Sequence, residues 1–236
     1  MKDKDWVVLK TTALVMIHAL LEKCQTISSM HALIGSTGSG KTFSFDLYRA
    51  SHENVLYFKI EKTYTAKEFY LMLLSAVGVH DYDRKVPLKS MAQRFASILK
   101  ERKTKTLIIF DEAGKFSSDM CEFFQTIRDA TESNTGIILS GTEKFFTDMN
   151  YWRDKNHKGI PELFSRIWSW EDIPKPTGNE KYQIVKKNGV TDPASLKKIV
   201  KESSDLRQVY QNVMQYRYEQ VAKETKLKSE QSVDEK

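Results

Sequence analysis

The sequence predicts an α/β protein in which helices flank a parallel sheet and a small, all-helical domain follows. Two observations lead to this fold class. The strand-like segments are short, uninterrupted apolar runs that alternate with helical patterns, which is typical of strands buried on both faces of a parallel sheet. Behind a segment rich in proline and glycine, residues 180–225 show only helical patterns. The fold class is therefore α/β, with a carboxyl-terminal helical domain.

The amino-acid composition is that of an ordinary globular protein. The chain has 236 residues, of which 40% are hydrophobic and 29% charged, enough for one sizeable core and a small second domain. No apolar run reaches the roughly 18 residues of a membrane span, and the first residues lack the pattern of a secretory signal. Two cysteines without a CxxC pair argue against a zinc site or a disulfide framework. We therefore expect a cytoplasmic protein with no membrane partner.

Four segments are expected along the chain. Apolar residues at helical spacing predict a helix over 6–27, so 1–27 is a helical lead-in. An α/β core is expected over 28–177 and a helical lid over 178–225. The remaining residues, 226–236, are polar and are expected to be disordered.

The segment GSTGSGKT matches the P-loop pattern in full, between a predicted strand and a predicted helix. Its glycines let backbone N–H groups turn towards phosphate oxygens, and the helix that follows adds the positive end of its dipole. Lys41 is expected to reach the β- and γ-phosphates of ATP, and the Thr42 hydroxyl to bind Mg²⁺. The residues expected to bind ATP are Gly35, Ser36, Thr37, Gly38, Ser39, Gly40, Lys41, Thr42 and Phe43.

An apolar strand that ends in two acids, LIIFDE, is the second half of the predicted site. Such a strand brings a carboxylate to the same edge of the sheet as the P-loop. Asp111 is expected to hold Mg²⁺ through water, and Glu112 to polarise the water that attacks the γ-phosphate. A paired Asp-Glu favours hydrolysis over phosphoryl transfer to another substrate. The next strand, GIILSGTE, offers Ser140 or Thr142 as a polar group near the γ-phosphate.

The motif order resembles that of the AAA+ ATPases over roughly residues 28–215. The order is P-loop, Asp-Glu strand, polar strand end, an arginine in ELFSRIWSW, then a helical lid that opens with SSDLRQVY. The resemblance implies a sensor-one role for Ser140 and a γ-phosphate contact in cis for Arg207. It also implies that Arg166 is an arginine finger that acts in trans on the nucleotide of a neighbouring subunit.

Within AAA+, the chain is most similar to transposition target-selection ATPases of the Mu B and TnsC type. The stretches that carry this likeness are YRASHENVLYFKIEKTYTAKEFYLMLLSAVGV, LIIFDEA and LSGTEKFF. The likeness implies a homo-oligomer, a filament or a ring, that assembles with ATP around double-stranded DNA without sequence preference. Such an assembly marks the target site and activates a transposase, and ATP hydrolysis then disassembles it.

The positive charge is concentrated where this likeness expects DNA. The net charge of the chain is +6, yet residues 84–105 alone hold eight basic side chains and one acidic one. The resemblance implies that Lys67 faces DNA and that Arg84 and Lys85 lie near a second DNA-facing segment, with Lys89 on the helix that follows. Contacts to phosphates are expected, with no base readout.

Two alternatives stay open. One is an AAA+ assembly or remodelling ATPase of the secretion-associated kind, which acts on protein without DNA and would carry the same P-loop and acidic strand. The basic window favours DNA over this alternative. The other is a P-loop kinase or a nucleotide-binding switch, against which the late arginines and the helical lid speak.

Overall fold

The computed structural model of the chain describes residues 6–81, 85–122 and 124–234. The described strands are β1 (Met30–Ile34), β2 (Val55–Lys59), β3 (Thr106–Asp111), β4 (Thr135–Gly141) and β5 (Ser169–Asp172). The α-helices are α1 (Thr12–Ile27), α2 (Lys41–Ser51), α3 (Ala66–Ala76), α4 (Leu88–Lys100), α5 (Ser118–Cys121), α6 (Phe124–Thr131), α7 (Glu143–Asp154), α8 (Ile160–Arg166), α9 (Gly178–Lys187), α10 (Pro193–Glu202) and α11 (Leu206–Asp234). A 3₁₀ turn, Ala113–Lys115, follows β3.

The five strands form one parallel sheet in the order β2-β3-β4-β1-β5. Every residue of β1, β3 and β4 is buried, because helices cover both faces of these central strands. The sheet confirms the predicted α/β fold class. Since all strands run in one direction, their carboxyl ends lie at one edge, where the residues that follow β1, β3 and β4 come together.

The chain divides into two compact units. The sheet unit contains residues 16–36 and 41–173, and its core is rich in aromatic side chains, among them Phe69, Phe110 and Phe124. The helical unit contains the described residues of 6–15, 37–40 and 174–234. Its smaller core is formed by apolar side chains of α9, α10 and α11, namely Ile184, Val185, Val190, Leu196, Ile199, Val209 and Val213.

The predicted first helix begins later than expected, since residues 6–11 are not helical and α1 starts at Thr12. The Thr11 side chain accepts a hydrogen bond from the Leu14 N–H at 3.2 Å, which caps the helix there. Ahead of the cap, the Val7 N–H donates to the Asn188 side chain at 2.9 Å, and that side chain donates back to the Val7 carbonyl at 3.0 Å. These tertiary bonds satisfy backbone groups that a helix would otherwise have paired.

The expectation of a disordered tail from residue 226 is also corrected, because α11 continues to Asp234. The stretch from 219 to 231 is rich in Glu, Gln, Lys and Ala, all strong helix formers. A helix that is already nucleated adds such residues at little cost, so a polar sequence can extend it without burial. Polarity alone therefore does not predict disorder in this segment.

Candidate active site

The loop between β1 and α2 has the backbone of a phosphate cradle. Gly38 and Gly40 have φ angles of 82° and 91°, which side chains with a Cβ rarely adopt. These two residues turn the chain so that it enters α2 at Lys41, the first residue of that helix. The N–H groups of the first helical turn have no partner within the helix, so this end favours an anion.

Lys41 folds back over this loop. Its ammonium group donates to the carbonyl of Gly35 at 2.5 Å and to that of Ser36 at 3.0 Å. The lysine charge therefore lies on the loop, within reach of any phosphate that the loop binds. Next to it, Thr42 and Phe43 are exposed on the first turn of α2.

The Asp111 carboxylate is the hub of the site. It is 1% exposed at the end of β3, and burial of a charge at such a position requires hydrogen-bond donors. The Thr42 hydroxyl donates to Asp111 Oδ2 at 2.6 Å. The Ser140 hydroxyl and the Glu112 N–H donate to Oδ1 at 3.2 and 2.9 Å. Three elements that are separate in sequence therefore meet at one carboxylate.

Ser140, rather than Thr142, contacts this hub. Ser140 is fully buried on β4, whereas Thr142 lies at the amino end of α7 and its side chain makes no capping hydrogen bond. Both residues had been candidates for the polar group near the γ-phosphate. The geometry favours Ser140, because its hydroxyl already donates to Asp111.

The residues around Asp111 suit a magnesium ion bound together with a nucleotide. Because the Thr42 hydroxyl donates its hydrogen bond to Asp111, the lone pairs of its oxygen stay available to a cation. Thr42 is exposed and Asp111 lies behind it, so the hydroxyl can bind the metal directly and the carboxylate can act through it or through water. Among the described residues, no group of three or more His, Cys, Asp or Glu side chains could hold a metal. Mg²⁺ keeps several waters and binds substrate phosphates, so the Thr42 hydroxyl and the Asp111 carboxylate would suffice as its protein ligands.

Glu112 adopts an uncommon backbone conformation immediately after this hub. Its φ and ψ are 61° and 36°, in the left-handed region, and it directly precedes the 3₁₀ turn. Its carboxylate lies 3.7 Å from the Lys115 ammonium group, and both side chains are partly exposed. The sharp turn directs the chain away from the sheet while Glu112 stays adjacent to Asp111.

Arg166 lies at the opposite edge of the sheet. It ends α8, three residues before β5 begins, and β5 runs parallel to β1. Its guanidinium donates to both carboxylate oxygens of Asp129, at 2.8 and 3.1 Å, and to the Glu162 carbonyl at 3.2 Å. The hydrogen bonds from Arg166 lower the pKa of the Asp129 carboxyl. Within the sheet unit, Arg166 is therefore not brought to the Asp111 hub.

A groove surrounds this arginine. Its lining residues combine charged and apolar side chains, namely Ile27, Ser28, Arg128, Asp129, Glu132, Ser165, Arg166 and Trp168. Trp168 is 61% exposed, which is high for so large an apolar side chain. The arginine and the tryptophan thus share one accessible surface.

Within the helical unit, the start of α11 contacts the middle of the P-loop. The Leu206 N–H donates to the Gly38 carbonyl at 3.2 Å, and a Cβ at Gly38 would lie 2.5 Å from the Asp205 carboxyl carbon. Asp205 also caps α11, since it accepts a hydrogen bond from the Gln208 N–H at 2.9 Å. Arg207 is exposed on the first turn of this helix.

The residues expected to face DNA are partly brought together. The Lys67 ammonium group at the start of α3 donates to the Val86 carbonyl at 3.2 Å, so it lies beside the segment that carries Lys85 and Lys89. Lys89 is exposed on α4. Arg84 lies outside the described residues. Lys105, at the end of the basic window, donates to Ser28 and Ser133 and therefore has a structural role.

Two contacts of the predicted site residues could not be read from any sequence motif. The Tyr57 hydroxyl on β2 donates to Asp111 Oδ2 at 3.0 Å. Asp129 on α6 pairs with Arg166 across 37 positions of sequence. Knowledge of the strand pairing could have suggested that Tyr57 lies near Asp111. β2 and β3 are adjacent, and Tyr57 lies opposite Ile109, which is two residues before Asp111. No local pattern points to Asp129.

Known proteins share this arrangement of sequence and fold. A family model described as an AAA domain matches residues 27–149, which are 123 of the 236 residues. The chain is 24% identical over 162 residues to the Mu-like prophage FluMu DNA transposition protein B of Haemophilus influenzae. This alignment covers 68% of the chain and 53% of the relative, so the chain spans about half the length of the curated relative it matches. The expected likeness to AAA+ ATPases of the Mu B type is thereby confirmed.

Two solved structures show the same fold. The Aeropyrum pernix ORC2 protein in its ADPNP–ADP complexes has a TM-score of 0.65 and 14% identity, over 91% of this chain and 63% of that one. The Aeropyrum pernix ORC1 protein in complex with DNA has a TM-score of 0.63 and 18% identity, over 89% and 60%. Within the described part of the chain, no helix is long and apolar enough to cross a membrane.

Replacement of Gly38 by alanine is expected to destabilise the helical unit. The alanine would have to keep the positive φ of Gly38, and its Cβ would displace the Asp205 carboxylate. A strained backbone of this kind costs about 1–3 kcal/mol, so thermal and urea unfolding should shift accordingly. Gly178→Ala in the same unit is the control, because its Cβ meets nothing within 4 Å and its change should stay below about 1 kcal/mol. Equal unfolding curves for both variants would contradict the inferred close contact.

Proposed function

This chain belongs to the AAA domain family, and from that premise we propose that it is an ATP-hydrolysing regulator of DNA transposition. It assembles with ATP on double-stranded DNA, marks the target site and activates a partner transposase. The observation that carries the nucleotide part is the hydrogen bond between Thr42 and Asp111, which joins the P-loop helix to the acidic strand. The transposition part is supported by the relative named as a DNA transposition protein B.

In this proposal each residue of the predicted site has a role. The P-loop N–H groups and Lys41 bind the phosphates of ATP, and Thr42 and Asp111 hold Mg²⁺. When bound, the metal neutralises charge on the phosphate oxygens during attack by water. Glu112 accepts a proton from that water, and Ser140 orients Asp111 from the neighbouring strand. Arg207 contacts the γ-phosphate, and exposed Phe43 borders the bound nucleotide.

Arg166 acts on the nucleotide of a neighbouring subunit. This role is supported by its distance along the sheet from Asp111 and by its partly exposed guanidinium in an accessible groove. Arginine and tryptophan are both enriched where proteins contact one another, and Trp168 shares that groove. A homo-oligomer, as a filament or a ring, follows from an active site that two copies complete.

The surface proposed for DNA contains Lys67, Lys85 and Lys89. Their cationic side chains suit contacts to phosphates, which give affinity without sequence preference. Such contacts fit a protein that has to accept many targets. Assembly along DNA also explains how weak contacts of single subunits add up to stable binding.

The Glu112→Gln variant tests the ATPase directly. It should bind ATP like the wild type but hydrolyse it at least about 100-fold more slowly, because the water loses its general base. The DNA-bound oligomer should then persist, which negative-stain imaging with duplex DNA and ATP can follow over time. Glu143→Gln on α7 is a control that removes an equal charge. Turnover at the wild-type rate by Glu112→Gln would rule out the proposed role.

Mixing two inactive variants tests whether Arg166 acts in trans. Arg166→Ala keeps the nucleotide site but lacks the finger, and its turnover should fall by about 100-fold or more. Lys41→Ala keeps the finger but loses a phosphate contact. Their mixture should hydrolyse ATP faster than the sum of the two separate samples. Arg153→Ala removes another partly exposed arginine that pairs with an aspartate and should be nearly silent. No recovery on mixing would contradict action in trans.

A salt titration tests the DNA surface. The double variant Lys67→Ala with Lys89→Ala should bind duplex DNA more weakly, and its plot of log affinity against log salt should be flatter by about 1.8. The control, Lys144→Ala with Lys155→Ala, removes the same charge from α7 and the residue after it and should keep the slope. If wild-type protein binds no DNA but remodels protein, the alternative AAA+ function would be favoured.

A further inference from the structure

Asp111 receives four hydrogen bonds in the described structure, and three come from residues that the motifs predict. Thr42, Ser140 and the N–H of Glu112 are those three donors. The fourth donor is the hydroxyl of Tyr57, 3.0 Å from Oδ2. Oδ2 therefore accepts from Thr42 and Tyr57 together. Tyr57 therefore helps to fix the orientation of the carboxylate, alongside the motif residues.

The Tyr57 ring is held in place by α2, the helix that begins with Lys41. Its centroid lies 6.3 Å from that of Phe45, and the Arg49 guanidinium lies 4.8 Å above the ring. The backbone of Tyr57 is fixed by its pairing with β3, opposite Ile109. The hydroxyl thus reaches Asp111 from a ring that packs between the sheet and the nucleotide helix.

The Tyr57 hydroxyl is the donor in this contact, because an ionised carboxylate such as that of Asp111 can only accept hydrogen bonds. A phenol that donates to a carboxylate forms a charge-assisted bond, which is stronger than a neutral one.

We propose that Tyr57 is a positioning residue for the metal-binding pair Thr42 and Asp111. Its hydroxyl holds Oδ2 where that oxygen accepts the hydrogen bond from the Thr42 hydroxyl, which leaves the Thr42 lone pairs available to Mg²⁺. This role rests on the proposed function, since it needs a nucleotide that binds with Mg²⁺. Tyr57 touches neither the phosphates nor the water, and it acts through Asp111.

The test is a binding measurement without turnover. Fluorescence anisotropy with a labelled, non-hydrolysable ATP analogue gives the affinity in EDTA and at rising MgCl₂. Tyr57→Phe should bind the analogue normally in EDTA. The Mg²⁺ concentration that half-maximally tightens its binding should rise roughly tenfold, as for other residues that orient a metal ligand. In an Asp111→Asn background, Tyr57→Phe should add no further shift.

Tyr48→Phe is the matched control. Tyr48 lies on α2, and its hydroxyl donates to the Gln25 side chain of α1 at 2.9 Å instead of to Asp111. It should leave the Mg²⁺ dependence unchanged. An unchanged or lower half-saturating Mg²⁺ concentration in Tyr57→Phe would overturn the role of Tyr57 alone, as would an equal shift in Tyr48→Phe. A wild-type chain whose nucleotide binding does not respond to Mg²⁺ would overturn the proposed site itself.

Discussion

The candidate site depends on one buried carboxylate. Asp111 is almost completely buried, and a buried carboxylate without hydrogen-bond donors costs several kcal/mol. The fold supplies those donors from β2, β4 and α2 as well as from the next backbone N–H. The carboxylate thereby links three elements that each carry a part of the proposed chemistry.

The parallel sheet makes this convergence possible. Because the strands share one direction, the ends of β1, β3 and β4 lie at one edge, and their order brings β4 between β1 and β3. Arg166 precedes β5 and lies at the other edge. The same strand direction that collects Lys41, Thr42 and Asp111 thus separates the arginine from them. An arginine at that edge is accessible to another copy of the chain.

The sequence predicts the parts of the site that follow from local patterns. The P-loop and the Asp-Glu strand are contiguous motifs, and the loop geometry and the hub agree with them. Long-range contacts had no such signal. Whether Ser140 or Thr142 meets Asp111 depends on strand pairing, and Tyr57 looks like any strand residue. The late start of α1 depends on Asn188, which is 181 positions from Val7.

A crystal structure with Mg²⁺ and a non-hydrolysable ATP analogue tests the central claim most directly. We predict one Mg²⁺ about 2.1 Å from the Thr42 hydroxyl oxygen, with that hydroxyl still donating to Asp111 and the phosphates held by the P-loop. Nucleotide bound elsewhere, or a metal that neither Thr42 nor Asp111 approaches directly or through water, would contradict it.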